Sequence, residues 1–465
     1  MKRALLIALA TFVFVLPGAA QYTTLHEFSN DGNGMYPRGS LVTDSIWLYG
    51  MTTEPGNIFK IKTDGTGYTV LHNLSPSDGR FPQASLYYDG TFLYGTAEDS
   101  GAYGFGTLFK IKPDGSGFTK LHDFTGNVGE GEHPKGSLMS DGTWLYGTTR
   151  GGTASSPIIS YGSIFRIKPD GTSYTVLHDF SNIPDDGRQP HGSLVSDGTA
   201  LYGTTIFGGL NPNFGTIFKI MPDGTGYAKL FDFSNLTGLQ PYGDLIYDGT
   251  WLYGMTSGGG PNGWGNIFKI KPDGTGFTSL YSFYTPGMSP DGCTPFGSLL
   301  YDGTWLYGMT SSGSNVFKLK PDGTNFTNMY IMTPPDGSLP YGSVISDGAY
   351  LYGMTYQGGV NMFYGTVFKL DINAVAVGIP QSEKTDMEVN IYPNPASGSL
   401  TIEWKTPEVK ENKAGECTIT DLLGKIVQNS TVSFENATAT IDIHDLPNGV
   451  YFLKTGNRKL KFVKN

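Results

Sequence analysis

The side chains best suited to chemistry in this 465-residue chain recur at fixed places. Four histidines, His26, His72, His122 and His178, each follow a Leu near the end of a short apolar run. A set of imidazoles at matched positions is a metal-donor pattern. Later in the chain the same position holds Phe231, Tyr281 and Tyr330, so it reads as a packing position. A second set of candidates is Asp-Gly-x-x-Pro, at Asp78–Pro82, Asp186–Pro190, Asp291–Pro295 and Asp336–Pro340. Carboxylates suit calcium. Each site offers one acid or two, in a spacing unlike a calcium-binding loop, and Asx turns account for them. No paired carboxylates and no nucleophile–His arrangement stand out. The residues indicate no catalytic set, no metal site and no cofactor.

The most suggestive position follows those prolines. It holds Arg38, Gln83, Lys135, His191, Tyr242, Phe296 or Tyr341, and its neighbours hold steady while it varies. The residue after it is Gly, or Ala84 in one case. Four polar side chains are followed by three aromatic ones. Such a mixture suits a sugar, with rings on its apolar faces and polar groups at its hydroxyls. Further aromatics, Tyr103, Phe105, Tyr161, Phe214, Trp264 and Tyr364, fall in Gly-rich loops. All but Tyr103 directly precede the Gly that starts the third predicted strand, a regularity that favours a packing role.

These positions belong to a repeat. Leu-Tyr-Gly occurs seven times, from Leu48–Gly50 to Leu351–Gly353, spaced about 45 to 56 residues apart. Each copy continues with an aliphatic residue, Phe and a base, from Ile58-Phe59-Lys60 to Val367-Phe368-Lys369. One copy, Gly136–Phe180, divides into four predicted strands: Gly136–Ser140, Trp144–Thr148, Ser163–Lys168 and Ser173–Phe180. Asp141-Gly142 and Pro169-Asp170-Gly171 are the turns between the first pair and the last pair. Four antiparallel strands per copy predict the blade of a β-propeller. The seventh copy lacks a fourth strand, and Tyr22–Phe28 at the start of the mature chain supplies one. The fold class is therefore all-β: a seven-bladed β-propeller closed by an N-terminal strand, followed by a small immunoglobulin-like β-sandwich. Both turns of a blade lie on one face. The variable connections lie on the other, where function is expected.

Composition agrees. The chain has 66 Gly, 28 Tyr and 28 Phe with only 15% charged residues. A net charge of −10 without a basic stripe excludes a nucleic-acid surface. Residues 1–20 (MKRALLIALATFVFVLPGAA) read as a signal peptide. No later stretch has the roughly 18 apolar residues of a spanning helix, so the mature protein is expected to have no transmembrane segment. Cys293 and Cys417, the two cysteines, lie in separate segments and are not expected to pair. Residues 21–371 form the predicted propeller, 372–386 a linker and 387–465 a second domain.

Two family resemblances cover most of the chain. The C-terminal segment resembles the type A sorting domain of the type IX (Por) secretion system of Bacteroidetes. The matching residues are Ile391-Tyr392-Pro393-Asn394-Pro395 with Leu400-Thr401-Ile402, then Asp421–Lys425 including Gly424 and Lys425, then Leu446–Tyr451 including Gly449 and Tyr451. The resemblance implies export, passage across the outer membrane by the type IX machinery, and release or attachment at the cell surface. The repeats resemble the GloVer tandem-repeat family, which shares the framework GSL…DG…LYG…FK…PDG. That resemblance speaks to architecture and not to activity.

Three functions remain open. The residues favour a non-enzymatic binding or adhesion module for a glycan or a surface or extracellular protein. The alternatives are a polysaccharide lyase or hydrolase, or a structural surface-layer component. An enzyme is expected to show convergent acids, or an Arg/His pair with an acid, in one pocket. A binding module is expected to show an aromatic-lined surface without them.

Overall fold

A computed structural model describes residues 22–127, 130–151, 161–181, 183–210, 214–284, 290–360 and 362–373. In the C-terminal part it describes 389–392, 396–404, 414–420, 426–433, 438–455 and 458–464. The expected signal peptide and nearly all of the expected linker lie outside these residues. Chain contacts divide the molecule into two units, Met1–Gly378 and Ile379–Asn465. Among the described residues there is no helix, and so none long and apolar enough to cross a membrane.

Seven antiparallel sheets of four or five strands make up the first unit among the described residues. The Leu-Tyr-Gly motif forms the second strand of each sheet, and the aliphatic-Phe-base motif the third. Their register explains the sequence. Gly147 lies opposite Phe165, and a Cβ there would strike the Phe165 ring. The motif keeps Gly so that the neighbouring strand's ring can lie over the backbone, where it is fully buried. The Tyr of the motif is buried as well, and its hydroxyl reaches the Asp of the preceding turn. Tyr146 donates to Asp141 at 2.8 Å, while Asp141 also accepts the N–H groups of Thr143 and Trp144. The expected Asx chemistry is thus doubled as an anchor for a core tyrosine.

Tyr22–Glu27 pairs with Thr366–Asp371, as expected from the missing strand of the seventh copy. Tyr22 stacks on Tyr330 and Phe368, and Phe28 is buried among Leu41, Leu48 and Phe59. Between sheets the packing is equally regular. Each apolar cluster draws on two neighbouring sheets; Tyr94 and Leu108 of one, for example, pack with Leu145 and Phe165 of the next. The histidines belong to these joints. His26, His72, His122 and His178 stack on Tyr68, Phe118, Tyr174 and Tyr227, with centroids 3.7 to 4.1 Å apart. Phe231 and Tyr281 stack in the same way on Phe277 and Phe326. Burial pushes the His26 imidazole down to about 4. His72, His122 and His178 also face Asp78, Glu130 and Asp186. The Asp-Gly-x-x-Pro acids therefore serve the joints between sheets.

The inner strand differs from the prediction. In place of Gly136–Ser140, only Met139–Ser140 pairs in the sheet, and Glu132–Pro134 pairs separately with the far end of the same neighbour, Leu145–Gly151. Gly187–Pro190 repeats this arrangement. Five other copies make the outer pairing as a single bridge, such as Met35↔Glu54 and Leu239↔Gly258. Within the gap, backbone N–H groups reach the adjacent sheet, as those of Tyr36 and Ser40 do to Tyr364 and Ser85.

Among the described residues the second unit contains two antiparallel sheets. One holds Val389–Tyr392, Ser399–Trp404 and Thr438–Asp442; the other holds Ile426–Ser433, Ala414–Thr420, Gly449–Thr455 and Arg458–Lys464. Leu400, Ile402, Ile419, Ile441, Leu453 and Phe462 from both sheets share one core. Cys293 and Cys417 are both buried.

Candidate functional site at the ring axis

The interruption of each inner strand carries the variable residue. The residue two positions before it is left-handed in all seven copies: Tyr36, Phe81, His133, Gln189, Gln240, Thr294 and Leu339, with φ between 51° and 60°. None is Gly, and each stands before a Pro, which normally holds its predecessor in extended conformations. The neighbouring sheet maintains the conformation. The N–H of Gln240 donates to the carbonyl of Phe214 at 2.9 Å, that of Thr294 to Trp264 at 3.1 Å, and that of Tyr36 to Tyr364 at 3.0 Å. Phe105 and Tyr161 accept in the same way from His133 and Gln189. The loop aromatics before Gly thus hold the joints, as their regularity suggested, and the turn directs the next residues to the axis.

All seven variable residues line one cavity of about 320 Å³. Their side chains form two linked arcs around it, one aromatic and one polar. His191, Tyr242, Phe296 and Tyr341 form an arc with successive centroids 5.1, 5.1 and 5.2 Å apart. Arg38 lies over Tyr341 at 5.0 Å and donates to Gln83 at 3.4 Å. Gln83 in turn donates to Glu98, which also pairs with Lys135 at 2.7 Å and stands 4.0 Å from Arg150. Burial pushes the His191 imidazole down to about 3, with the nearby Lys135 charge acting in the same direction. His191 is therefore neutral, and its Nδ1–H donates to the Tyr242 carbonyl at 3.3 Å. Burial also lowers Lys135, against the pull of Glu98.

Glu98, Arg150 and Tyr356 were missed at the sequence level. They occupy a second variable position, five residues after the Leu of each Leu-Tyr-Gly: Thr53, Glu98, Arg150, Ile206, Ser257, Ser311 and Tyr356. Variation inside an otherwise constant frame was the available signal. It was hidden because the position merges with the Gly-rich loop behind it.

The next layer is a girdle of hydrogen bonds around the axis. Ser40 N–H donates to Ser85 Oγ, Ser85 to Ser137, Asp244 to Ser298, Ser298 to Ser343, and Ser343 back to Ser40, at 2.6 to 2.8 Å. Ser193 donates to the carboxylate of Asp244, which stands where the other six copies have Ser. The preceding glycines let these backbones meet; a Cβ at Gly342 would strike the carbonyl oxygen of Gly39. Burial raises the Asp244 carboxyl above its usual range, against the N–H of Ser193 and the Ser298 hydroxyl.

Tyr103 is exposed in its loop and lies outside the cavity. In the second unit Tyr392 ends a strand with its ring exposed. Gly449 and Tyr451 lie in one strand, with Tyr451 buried and donating to the Pro447 carbonyl at 2.7 Å. Pro393, Asn394, Pro395, Gly424 and Lys425 lie outside the described residues. Among the described residues no three His, Cys, Asp or Glu side chains come together as a metal-binding group.

Repeated antiparallel sheets joined in a ring around an axial pocket define an all-β, propeller-like repeat protein. The chain belongs to the Gloeobacter/Verrucomicrobia repeat family, whose model matches residues 10–159 and 145–315. Residues 390–465 match the secretion system C-terminal sorting domain. That tail engages the type IX secretion machinery, and the protein is secreted or attached to the outer cell surface. No curated protein matches the chain. Among solved structures, a streptogramin B lyase is similar in fold, at 14% identity over 76% of this chain and 98% of that one, with a TM-score of 0.53. An oligogalacturonate lyase in complex with manganese gives 13% identity over 76% and 93%, with a TM-score of 0.48. A gluconolactonase from Xanthomonas campestris gives 16% identity over 76% and 89%, with a TM-score of 0.41.

Proposed function

We propose that the first unit is a seven-bladed β-propeller acting as a non-enzymatic binding module, and that it takes a glycan at the mouth of its central channel. In this reading residues 1–20 are a signal peptide, and the second unit is an immunoglobulin-like sandwich that serves delivery. The observation that carries the proposal is the axial pocket, where an arc of aromatic rings meets an arc of polar side chains. Rings offer flat apolar faces for a pyranose, and the polar arc offers donors and acceptors for its hydroxyls. The surrounding face supports the reading. Exposed Phe81, Tyr103, Leu210, Leu236, Trp264 and Phe363 all lie on its connecting loops. A cavity of about 320 Å³ is at the lower end for small-ligand sites, which suits one or two sugar units.

The pocket also combines the two features expected to separate a binder from an enzyme, since an Arg, a His and acids line or border it. Glu98 is committed to Lys135 and Gln83, and burial makes the neutral His191 imidazole a weak base. Asp244 is the observation that keeps a lyase or hydrolase in view, as a carboxyl with a raised pKa at the base of a cationic pocket.

A glycan and polysaccharide screen on the purified full-length protein, run beside a turnover assay on the same substrates, tests both readings. Binding without turnover is expected. Replacing Tyr242, Phe296 or Tyr341 by Ala is expected to weaken binding about two- to tenfold per ring. Unchanged affinity in all three variants would remove the channel mouth as the site. Turnover abolished by Asp244→Asn would establish the enzyme instead.

A further inference from the structure

The charges at the channel mouth are unevenly distributed. Arg38, Lys135 and Arg150 converge there on a chain whose net charge is −10. Their mutual proximity shows in their effects on shared neighbours. Arg150 and Arg38 both disfavour the charge on Lys135, and all three disfavour a charge on His191. Against them stand Glu98 and, deeper, Asp244. Glu98 is held by Lys135 at 2.7 Å and by Gln83, while Arg150 is 4.0 Å away. Among the described residues Arg38 has no carboxylate partner; its guanidinium rests on Tyr341 and Tyr356 at 5.0 and 4.7 Å and reaches Gln83. Even with both acids counted as ionised, the cations are in excess. Gathering like charges in a half-buried place costs free energy that a bound anion relieves. A guanidinium lying on aromatic faces keeps its N–H edge available for a bidentate oxyanion.

We propose that the ligand of this pocket is an anionic sugar, a pyranose bearing a carboxylate or a sulfate ester. Its ring lies along Tyr242, Phe296 and Tyr341, and its charge is met by Arg38 and Arg150. The inference rests on the glycan reading above and narrows it to a charge class. The position of Arg38 decides the orientation. It borders the aromatic arc at Tyr341, so one ligand ring touches the arc and the guanidinium together.

The test is affinity measurement on the full-length protein with three probes: polygalacturonate, the neutral galactan made from it by carboxyl reduction, and a sulfated galactan. Either acidic probe is expected to bind at least about tenfold more tightly than the neutral one, and more weakly as salt rises. The preferred acidic probe identifies the charged group. Arg150→Gln, at a half-exposed side chain, is expected to lose about fivefold or more on the acidic probe and nothing on the neutral one. Arg38→Gln should do the same, and melting curves of both variants report whether the ring is intact. Neutral and acidic probes bound equally, or an unaltered acidic affinity in folded Arg150→Gln, would overturn the anionic assignment while leaving a glycan site. No binding to any probe, with none in the wider screen, would overturn the glycan reading itself.

Discussion

The hydroxyl oxygen of Ser40 accepts the backbone N–H of Ser343 at 2.8 Å, joining residues 303 positions apart. The bond links the first sheet to the last and completes a girdle in which each sheet is tied to the next at the axis. At the rim, Tyr22–Glu27 pairs with Thr366–Asp371 and so joins the start of the repeat region to its last sheet. The ring is therefore closed both at its centre and at its rim, and each closure crosses nearly the whole repeat region.

Rim closure predicts a large effect from the first strand. Phe28 is 2% exposed and packs against Phe59 at 5.4 Å. Phe28→Ala is expected to cost about 3–5 kcal/mol in denaturant unfolding. Removing residues 22–28 should cost more, since Thr366–Asp371 then becomes an open sheet edge. A truncated protein that melts with the full-length one would contradict closure by this strand.

The Tyr–Asp anchor recurs in each of the seven sheets of the first unit, from Tyr49–Asp44 to Tyr352–Asp347, at 2.7 to 2.9 Å. Tyr146→Phe is expected to cost about 1 kcal/mol. The anchors also set an acid limit. At Asp141 burial opposes ionisation, but the N–H groups of Trp144 and Thr143 and the Tyr146 hydroxyl outweigh it and lower the carboxyl; Asp44, Asp197, Asp302 and Asp347 are lowered likewise. Their stabilisation is fully present above the unfolded carboxylate value, near pH 4, and is lost as pH falls through the lower folded values. Unfolding measured between about pH 5 and 2 should show this decline, and Asp141→Asn should flatten it.

Asp244 predicts the opposite sign. Burial raises its carboxyl, so the folded protein holds this proton more tightly than the unfolded chain. That contribution is present below the unfolded value, near pH 4, and disappears as pH rises through the folded one. Asp244→Ser restores the residue of the other six copies and an Oγ for the Ser193 N–H. The variant is expected to melt at a higher temperature at pH 7 and to lose the difference at acid pH. A variant less stable at pH 7 would mean that the carboxylate is structurally required there.

Delivery is separable from the ring. A protein lacking residues 387–465 is expected to accumulate in the periplasm, as read by cell fractionation beside the full-length form. Normal surface display or release of the truncated protein would contradict sorting by the tail.

The sequence by itself determined the parts that each copy repeats. Leu-Tyr-Gly and aliphatic-Phe-base set the second and third strands because their Gly–Phe pairing and their turns are local, and a missing fourth strand with a spare one at the other end announced the closure. It also marked Arg38, Gln83, Lys135, His191, Tyr242, Phe296 and Tyr341, since a varying residue in a constant frame needs no coordinates to be seen. Only the tertiary structure decided what these residues meet. The pairing of Lys135 with Glu98, the placing of Arg38 over Tyr341, and the burial of Asp244 in a girdle of serines all join residues from different sheets. The left-handed turn before each Pro, which directs the variable residue to the axis, was likewise invisible, because Tyr, Phe, His, Gln, Thr and Leu adopt it against their local preference. The physical reason is common to all of these. Strand and turn chemistry acts within a few residues, whereas charge, burial and enforced backbone geometry at the axis arise when seven sheets bring distant positions together.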